Sequence, residues 1–284
     1  MAEVLSPTAL TLGDIRVDVL DAGRLRLDGG AMFRVVPRAL WERFAPPDEQ
    51  NRIALAMRPL LVRAGDEVLL VDAGIGPERR DGAFLARCAV EPGPDPAEWL
   101  APLGLGPSDV TQVVLTHAHF DHAGGLVDAD GAPRFPRARV RVQRRELEDA
   151  AEGCPLCRAS YVEGDLAPLR AQGLLDPLDG DASLAPGVRA VVTGGHTRAH
   201  QVVFVEGGGE TLVFWGDLVP TRHHLRPHYV MAYDLYPRES WERKAELVPR
   251  AVAEDWIAVF YHDPEVPLAR VRPDGRGYRV EPLA

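Results

Sequence analysis

The sequence predicts an α/β chain built as two sheets packed face to face with helices outside. Three observations point there. Short apolar runs recur along both halves with tight turns between them, and amphipathic helical stretches separate several of these runs. Five of the apolar runs end in histidine or aspartate, which gives one end of the strands a chemistry of its own. No internal repeat, low-complexity run or long Gly/Ser linker divides the 284 residues, so residues 1–284 are read as one domain.

Taken in order, Ile15 to Leu20 reads as a strand, with Ile15, Val17 and Val19 alternating against Arg16 and Asp18. Pro59–Val62 and Val68–Val71 form a hairpin across Arg63–Asp66, where Gly65 permits a left-handed turn residue. Ala97 to Leu103 is expected to be helical and to stop at Gly104. Val113 to Leu115 is the next strand. The second half places strands near Val140–Val142, Val188–Val192, Val202–Val205 and Leu212–Trp215. Residues 239–254 make the clearest helix, its apolar stripe read as Trp241, Ala245, Leu247, Val248 and Val252. Trp256 to Tyr261 is the last buried strand, and Pro273–Gly275 marks a closing hairpin.

An apolar fraction of 46% and a charged fraction of 26% are ordinary for a globular enzyme. The net charge of −10 argues against a nucleic-acid partner, which needs a basic footprint. Arg137, Arg139 and Arg141 alternate and read as the solvated face of a strand. Neither a signal-peptide pattern nor an apolar run near 18 residues is present, so a cytoplasmic chain without a membrane partner is expected. Cys154 and Cys157 have zinc-ribbon or redox spacing, but no second pair completes a tetrahedral site; they are read as ordinary thiols near a helix start.

The stretch Thr116–His122 carries three imidazoles and a carboxylate directly after the run Val113–Leu115, and Ala123-Gly-Gly125 follows. Burying so many polar groups at a strand end is costly unless something such as a metal ion satisfies them. All nine histidines lie between His117 and His262. Val68–Val71 runs into Asp72, Val213–Trp215 into Gly216-Asp217, Ala258–Tyr261 into His262-Asp263, and Val191–Gly195 into His196 and His200.

With these motifs in this order, the sequence resembles the metallo-β-lactamase superfamily of hydrolases from about Asp72 through His262. The resemblance implies an αββα sandwich with the site at one edge. It implies that His117, His119 and His196 hold one metal, that Asp121, His122 and His262 hold a second, and that Asp217 bridges both. Asp72 is then expected to orient the cluster, and His200 either orients a ligand or caps the next strand. A bridging Asp217 departs from the zinc β-lactamases that place Cys there. Glyoxalase II members carry a helical C-terminal region, whereas 22 residues follow His262 here. Within the superfamily the chain looks like the quorum-quenching lactonases and methyl-parathion-hydrolase-like enzymes. The matching stretches are Leu27–Phe33, Val35–Trp41, Thr193–His196, Gly216–Thr221 with His224, Met231–Pro237 and Phe260–Asp263. Met32 and Phe33 are expected to fold over the site as an apolar wall, and the His- and Arg-rich loop Thr221–His228, including His224, to rim the pocket.

The expected activity is hydrolysis of an ester-like carbonyl, foremost a lactone such as an N-acyl homoserine lactone, by a hydroxide shared between two divalent metals. Asp121 is expected to pass the proton to the leaving alkoxide, and Tyr233, or else Tyr229, to donate to the oxyanion. Zinc is the first choice; iron, manganese and cobalt also suit a thiolate-free site. A phosphotriesterase or arylesterase on the same site is the alternative, and a non-catalytic metal-binding module the third reading. A homodimer stays open.

Overall fold

The computed structural model describes residues 8–152, 158–275 and 277–283; Cys154 and Cys157 lie outside them. Two seven-stranded sheets form the frame, with a three-stranded sheet beside them. The first sheet runs Thr8–Leu12, Ile15–Val19, Leu60–Ala64, Glu67–Val71, Gln112–Val114, Arg139–Gln143, Leu175–Leu178. Its first four strands are antiparallel, and pairing is parallel from Glu67–Val71 onward. The expected hairpin is present, with Gly65 at φ +61 in its turn. The second sheet runs Ala182–Ala185, Val188–Val192, Gln201–Gly207, Glu210–Phe214, Ile257–Val259, Leu268–Asp274, Gly277–Pro282.

Period-two alternation divides the second sheet between two cores. Val203, Val205, Leu212 and Phe214 join the apolar cluster shared with the first sheet's Leu61, Leu70 and Val113. Their strand neighbours Val202, Phe204, Val213 and Trp215 point the other way, against Leu247, Val248 and Ala251 of helix Pro237–Ala253. The helices Pro96–Leu100 and Glu163–Ala171 pack into the first core through Trp99, Leu100, Leu166 and Leu169. The architecture is thus the αββα sandwich of the expectation. No described helix is long and apolar enough to cross a membrane.

Three elements depart from the sequence reading. Helix Pro237–Ala253 turns its expected stripe partly outward: Trp241 is 44% exposed, Ala245 is exposed, and the buried face is Ser240, Lys244, Leu247, Val248 and Ala251. The stripe keeps helical spacing but includes two polar residues, so an apolar-only search took the wrong phase. Lys244, the one lysine of the chain, donates its amine to the Tyr229 carbonyl at 2.6 Å, and burial pushes it down to about 7. The three-stranded sheet of Arg52–Ala56, Gly23–Asp28 and Glu91–Pro92 was not expected. Its alternation is masked by Arg24, Arg26 and Arg52, each only partly buried. Two strands also follow Ile257–Val259, joined by the closing hairpin at Gly275.

A short helix, Gly29–Phe33, is capped by the Asp28 carboxylate, which accepts from Ala31 N, and ends on Arg34 at φ 50, ψ −111. That conformation is disfavoured for any residue bearing a Cβ. Arg34→Gly is therefore expected to raise the unfolding free energy by roughly 1 kcal/mol. A higher urea midpoint at unchanged slope would show it; an equal or lower midpoint would mean that the backbone there carries no strain.

Candidate metal centre

Parallel pairing places the site. Val71 lies beside Val114, so Asp72 and the segment Thr116–His122 leave the first sheet at one edge. Phe214 lies beside Val259 in a parallel contact of the second sheet, so Asp217 and His262 leave at one edge too. The loop between Val188–Val192 and Gln201–Gly207 adds His196. His117, His119, Asp121, His122, His196, Asp217 and His262 converge there, none more than 7% exposed.

Their ligand atoms form three overlapping trios, each within 4.8 Å: His117, His119 and His196; His117, His122 and Asp217; Asp121, His122 and His262. Asp217 joins them. Its Oδ2 is 3.3 Å from His196 Nε2 and 4.0 Å from His117 Nε2. Its Oδ1 is 3.3 Å from His262 Nε2 and 3.4 Å from His122 Nε2. Asp121 Oδ2 lies 3.5 Å from His262 Nε2.

Four rings are aimed inward from behind. Thr116 Oγ1 meets His117 Nδ1 at 3.0 Å, Asp72 meets His122 Nδ1 at 2.8 Å, Asp234 meets His196 Nδ1 at 2.8 Å, and the Ala56 carbonyl accepts from His262 Nδ1 at 2.8 Å. Each contact leaves Nε2 facing the centre. Asp72 also accepts from Thr116 N and Thr116 Oγ1, and holds a positive φ of 58 to do so. Asp72 thus lies between the His122 ring and the start of the histidine segment. His200 sits behind Asp217: its Nε2 accepts from Asp217 N at 3.0 Å, and its Nδ1 meets Thr193 Oγ1 at 2.7 Å. Gly216, at φ +50, makes room for this, since a Cβ there would meet His200 Nε2 at 2.7 Å.

The electrostatics divide the imidazoles: His117 and His119 are held toward the neutral form, whereas carboxylates raise His122 and His196 against the opposing effect of burial. Burial, reinforced by neighbouring histidines, holds His117 and His119 well below the ordinary range. Burial opposes a charge on His122, yet Asp72, Asp217 and Asp121 raise it well above that range. Burial would likewise raise Asp217, but His262, His122 and His196 hold its carboxyl far down. Within this crowd His117 Nε2, His122 Nε2 and Asp217 Oδ1 are buried without a hydrogen-bond partner. Orphaned acceptors of this kind, on His and Asp donors with no thiolate, fit divalent cations.

Sequence reasoning missed the carboxylate that ties the two ligand loops together. Glu146, fully buried, accepts from Ala118 N, Ala199 N, Thr197 Oγ1 and Tyr161 Oη. Burial pushes its carboxyl up, and those donors pull it down. Tyr161 in turn sets its ring 4.9 Å from His119. Glu146 lies in Arg144–Asp149, a charged run that reads as a solvated helix face, so nothing local marks it. Asp234 was passed over for a similar reason, standing alone beside Tyr233. A buried ion pair, Arg80 with Asp165 at 2.7 Å, braces the same region, since Arg80 also donates to the Phe120 carbonyl.

The expected pocket residues fall differently. His224 does not rim a pocket. It is fully buried, its Nδ1 on Thr221 Oγ1 at 2.8 Å and its Nε2 donating to the Met32 carbonyl at 2.9 Å, and burial holds it down to about 3. Met32 and Phe33 are each 1% exposed. Phe33 stacks on His224 and Trp41, with ring centroids 4.8 and 5.5 Å away, so this segment is a pinned core element. Tyr229 also packs into that aromatic group, its ring 6.0 Å from that of Phe33. Tyr233 is half-buried against the first core, and burial raises its hydroxyl, with Asp28 and Asp121 adding to the effect.

Fold and site together define a metal-dependent hydrolase. The sequence pattern of the metallo-beta-lactamase superfamily matches residues 59–262, and the chain belongs to that superfamily. A probable metallo-hydrolase of Mycobacterium tuberculosis is 31% identical over 246 residues, covering 75% of this chain and 76% of that protein. A probable metal-dependent hydrolase from Staphylococcus aureus has a solved structure with TM-score 0.91 at 30% identity, covering 96% of this chain and 99% of that one. An N-acyl homoserine lactonase of Bacillus thuringiensis is 35% identical over 104 residues, which is 37% of this chain and 36% of the lactonase.

Asp234→Ala should weaken metal binding about 10–100-fold, because His196 loses the contact that fixes its ring. Competition with a chromophoric chelator measures this. Unchanged affinity in a folded variant would mean that Asp234 does not orient the site.

Proposed function

We propose that the chain is a lactone hydrolase with a dinuclear metal centre, acting as one domain on small acyl lactones, N-acyl homoserine lactones foremost. The observation that carries this reading is the division of Asp217: one oxygen faces His117 and His196, the other His122 and His262. One ion belongs with His117, His119 and His196, the other with Asp121, His122 and His262, and Asp217 is shared. Similarity to the Bacillus thuringiensis lactonase supports the substrate class, and a quorum-quenching role would follow from it. Zinc is the first choice among divalent ions, with iron, manganese and cobalt suited to the same donors.

Bound there, two divalent ions supply Lewis acidity toward the carbonyl and lower the pKa of the attacking water. The chain's own residues do the rest. Water adds to the lactone carbonyl carbon, the ring C–O bond breaks, and the proton released from water ends on the departing alkoxide. Asp121 is assigned to carry that proton, a reading supported by its carboxylate lying beside His262 and by its backbone carbonyl accepting from Tyr261 Oη at 2.5 Å. Tyr233 is assigned to donate to the oxygen that gains charge, a contribution usually worth a few kcal/mol.

Turnover of acyl homoserine lactones should exceed turnover of an aryl phosphotriester, vanish on chelation and return on adding a divalent ion. Preference for the phosphotriester would move the assignment to that chemistry. Activity that survives complete metal removal would refute the reading altogether. Tyr233→Phe should lower the lactone rate roughly 10–1000-fold at unchanged metal content; an unchanged rate would leave the oxyanion to the metals.

A further inference from the structure

A second recess, separate from the buried cluster, opens between the Gly23–Asp28/Arg52–Ala56 hairpin, the segment around Phe33–Pro46, and the loops at Thr221–His223 and Pro264–Glu265. Its volume is about 230 Å³, below the range of drug-sized pockets and suited to one small ring with a substituent. Its walls are mostly apolar and aromatic. Phe33 and Phe44 meet edge to face at 5.5 Å, and His223 stacks on Phe44 at 4.3 Å. Burial, with Arg222 next to it, holds His223 down to about 4, so its ring is a neutral wall near pH 7.

Two guanidinium groups and two carboxylates line or flank this recess, and they are paired unequally. Arg222 is taken up by Asp263, whose carboxylate also accepts from Arg222 N, Glu265 N and Val266 N. Arg222 also pairs with Glu265, so both carboxylates are held on one guanidinium. Arg26 remains. It is half-buried on the recess wall and, among the described residues, has no carboxylate within ion-pair distance and no side-chain hydrogen bond. An unpaired guanidinium beside a flat apolar slot has the chemistry of a carboxylate clamp.

We infer that this recess binds a small planar carboxylate, its ring against the wall that Phe44 and His223 form and its carboxylate on Arg26. The site is independent of the metal centre and of the lactone assignment. Its walls are nonetheless continuous with the second ion's trio. Ile53 and Ala54 lead to Ala56, which holds His262; Pro264 and Glu265 follow His262 and Asp263. Occupancy therefore bears on the loop that carries His262, and the recess is a place where an aromatic acid would modulate the enzyme.

Fluorobenzoate, followed by fluorine NMR on the metal-loaded protein, is the probe. It should bind, and Arg26→Ala should weaken it about tenfold or more, with Arg26→Lys intermediate. Ala54→Trp, which fills the recess from the hairpin, should abolish binding. Because a carboxylate could also sit on metal, the chelated protein is the deciding arm: binding should persist there. No binding to the intact protein overturns the inference. So does binding that disappears on chelation while surviving Arg26→Ala and Ala54→Trp, or equal binding of neutral fluorobenzamide. Should Arg26→Ala fail to fold, magnetisation transfer from the Phe44 and His223 rings to the probe in the unmodified protein decides the location, and its absence refutes it.

Discussion

Asp217 is the point on which the rest of the structure depends. It is a buried carboxylate placed between two groups of buried imidazoles, each group aimed at a different one of its oxygens. Desolvating two carboxylates and five imidazoles at once is expensive. The fold accepts that cost because the cluster is complementary within itself and to divalent cations, and because neighbouring groups leave each ring little freedom to turn away. Remove the shared carboxylate, and mutually repelling donors face one another across a dry space.

The fold's contribution is mostly register. Two parallel strand contacts, one in each sheet, bring Asp72 beside Thr116 and Asp217 beside His262, although 44 residues separate the first pair. Behind the ligands a ring of ordinary groups fixes geometry: Asp72, Asp234 and Thr116 side chains, the Ala56 carbonyl, and His200 on the Asp217 amide. Glu146 binds the loop of His117 and His119 to the loop of His196 through four donors. Precision at the centre is therefore held from outside it, by residues that touch no substrate.

What the sequence disclosed follows a physical rule. The residues that converge on the centre were legible because they cluster at the ends of apolar runs, where a polar group without a partner is improbable; His117 to His122, Asp217 and His262 all stand so. The strands of both large sheets were legible by alternation. Residues whose meaning comes only from tertiary contact were not. Glu146 and Lys244 lie in charged helical stretches that look solvated and are fully buried. His224 looked like a rim residue because its loop is polar, yet both its nitrogens are consumed by Thr221 and Met32. The hairpin of Gly23–Asp28 with Arg52–Ala56 escaped because arginines occupy its alternate face.

Anomalous X-ray diffraction from crystals grown with a divalent transition metal tests the central claim most directly. Two ions should appear on opposite sides of the Asp217 carboxylate, one surrounded by His117, His119 and His196, the other by Asp121, His122 and His262. A single ion, or two ions that leave Asp217 bound to only one of them, would contradict the account.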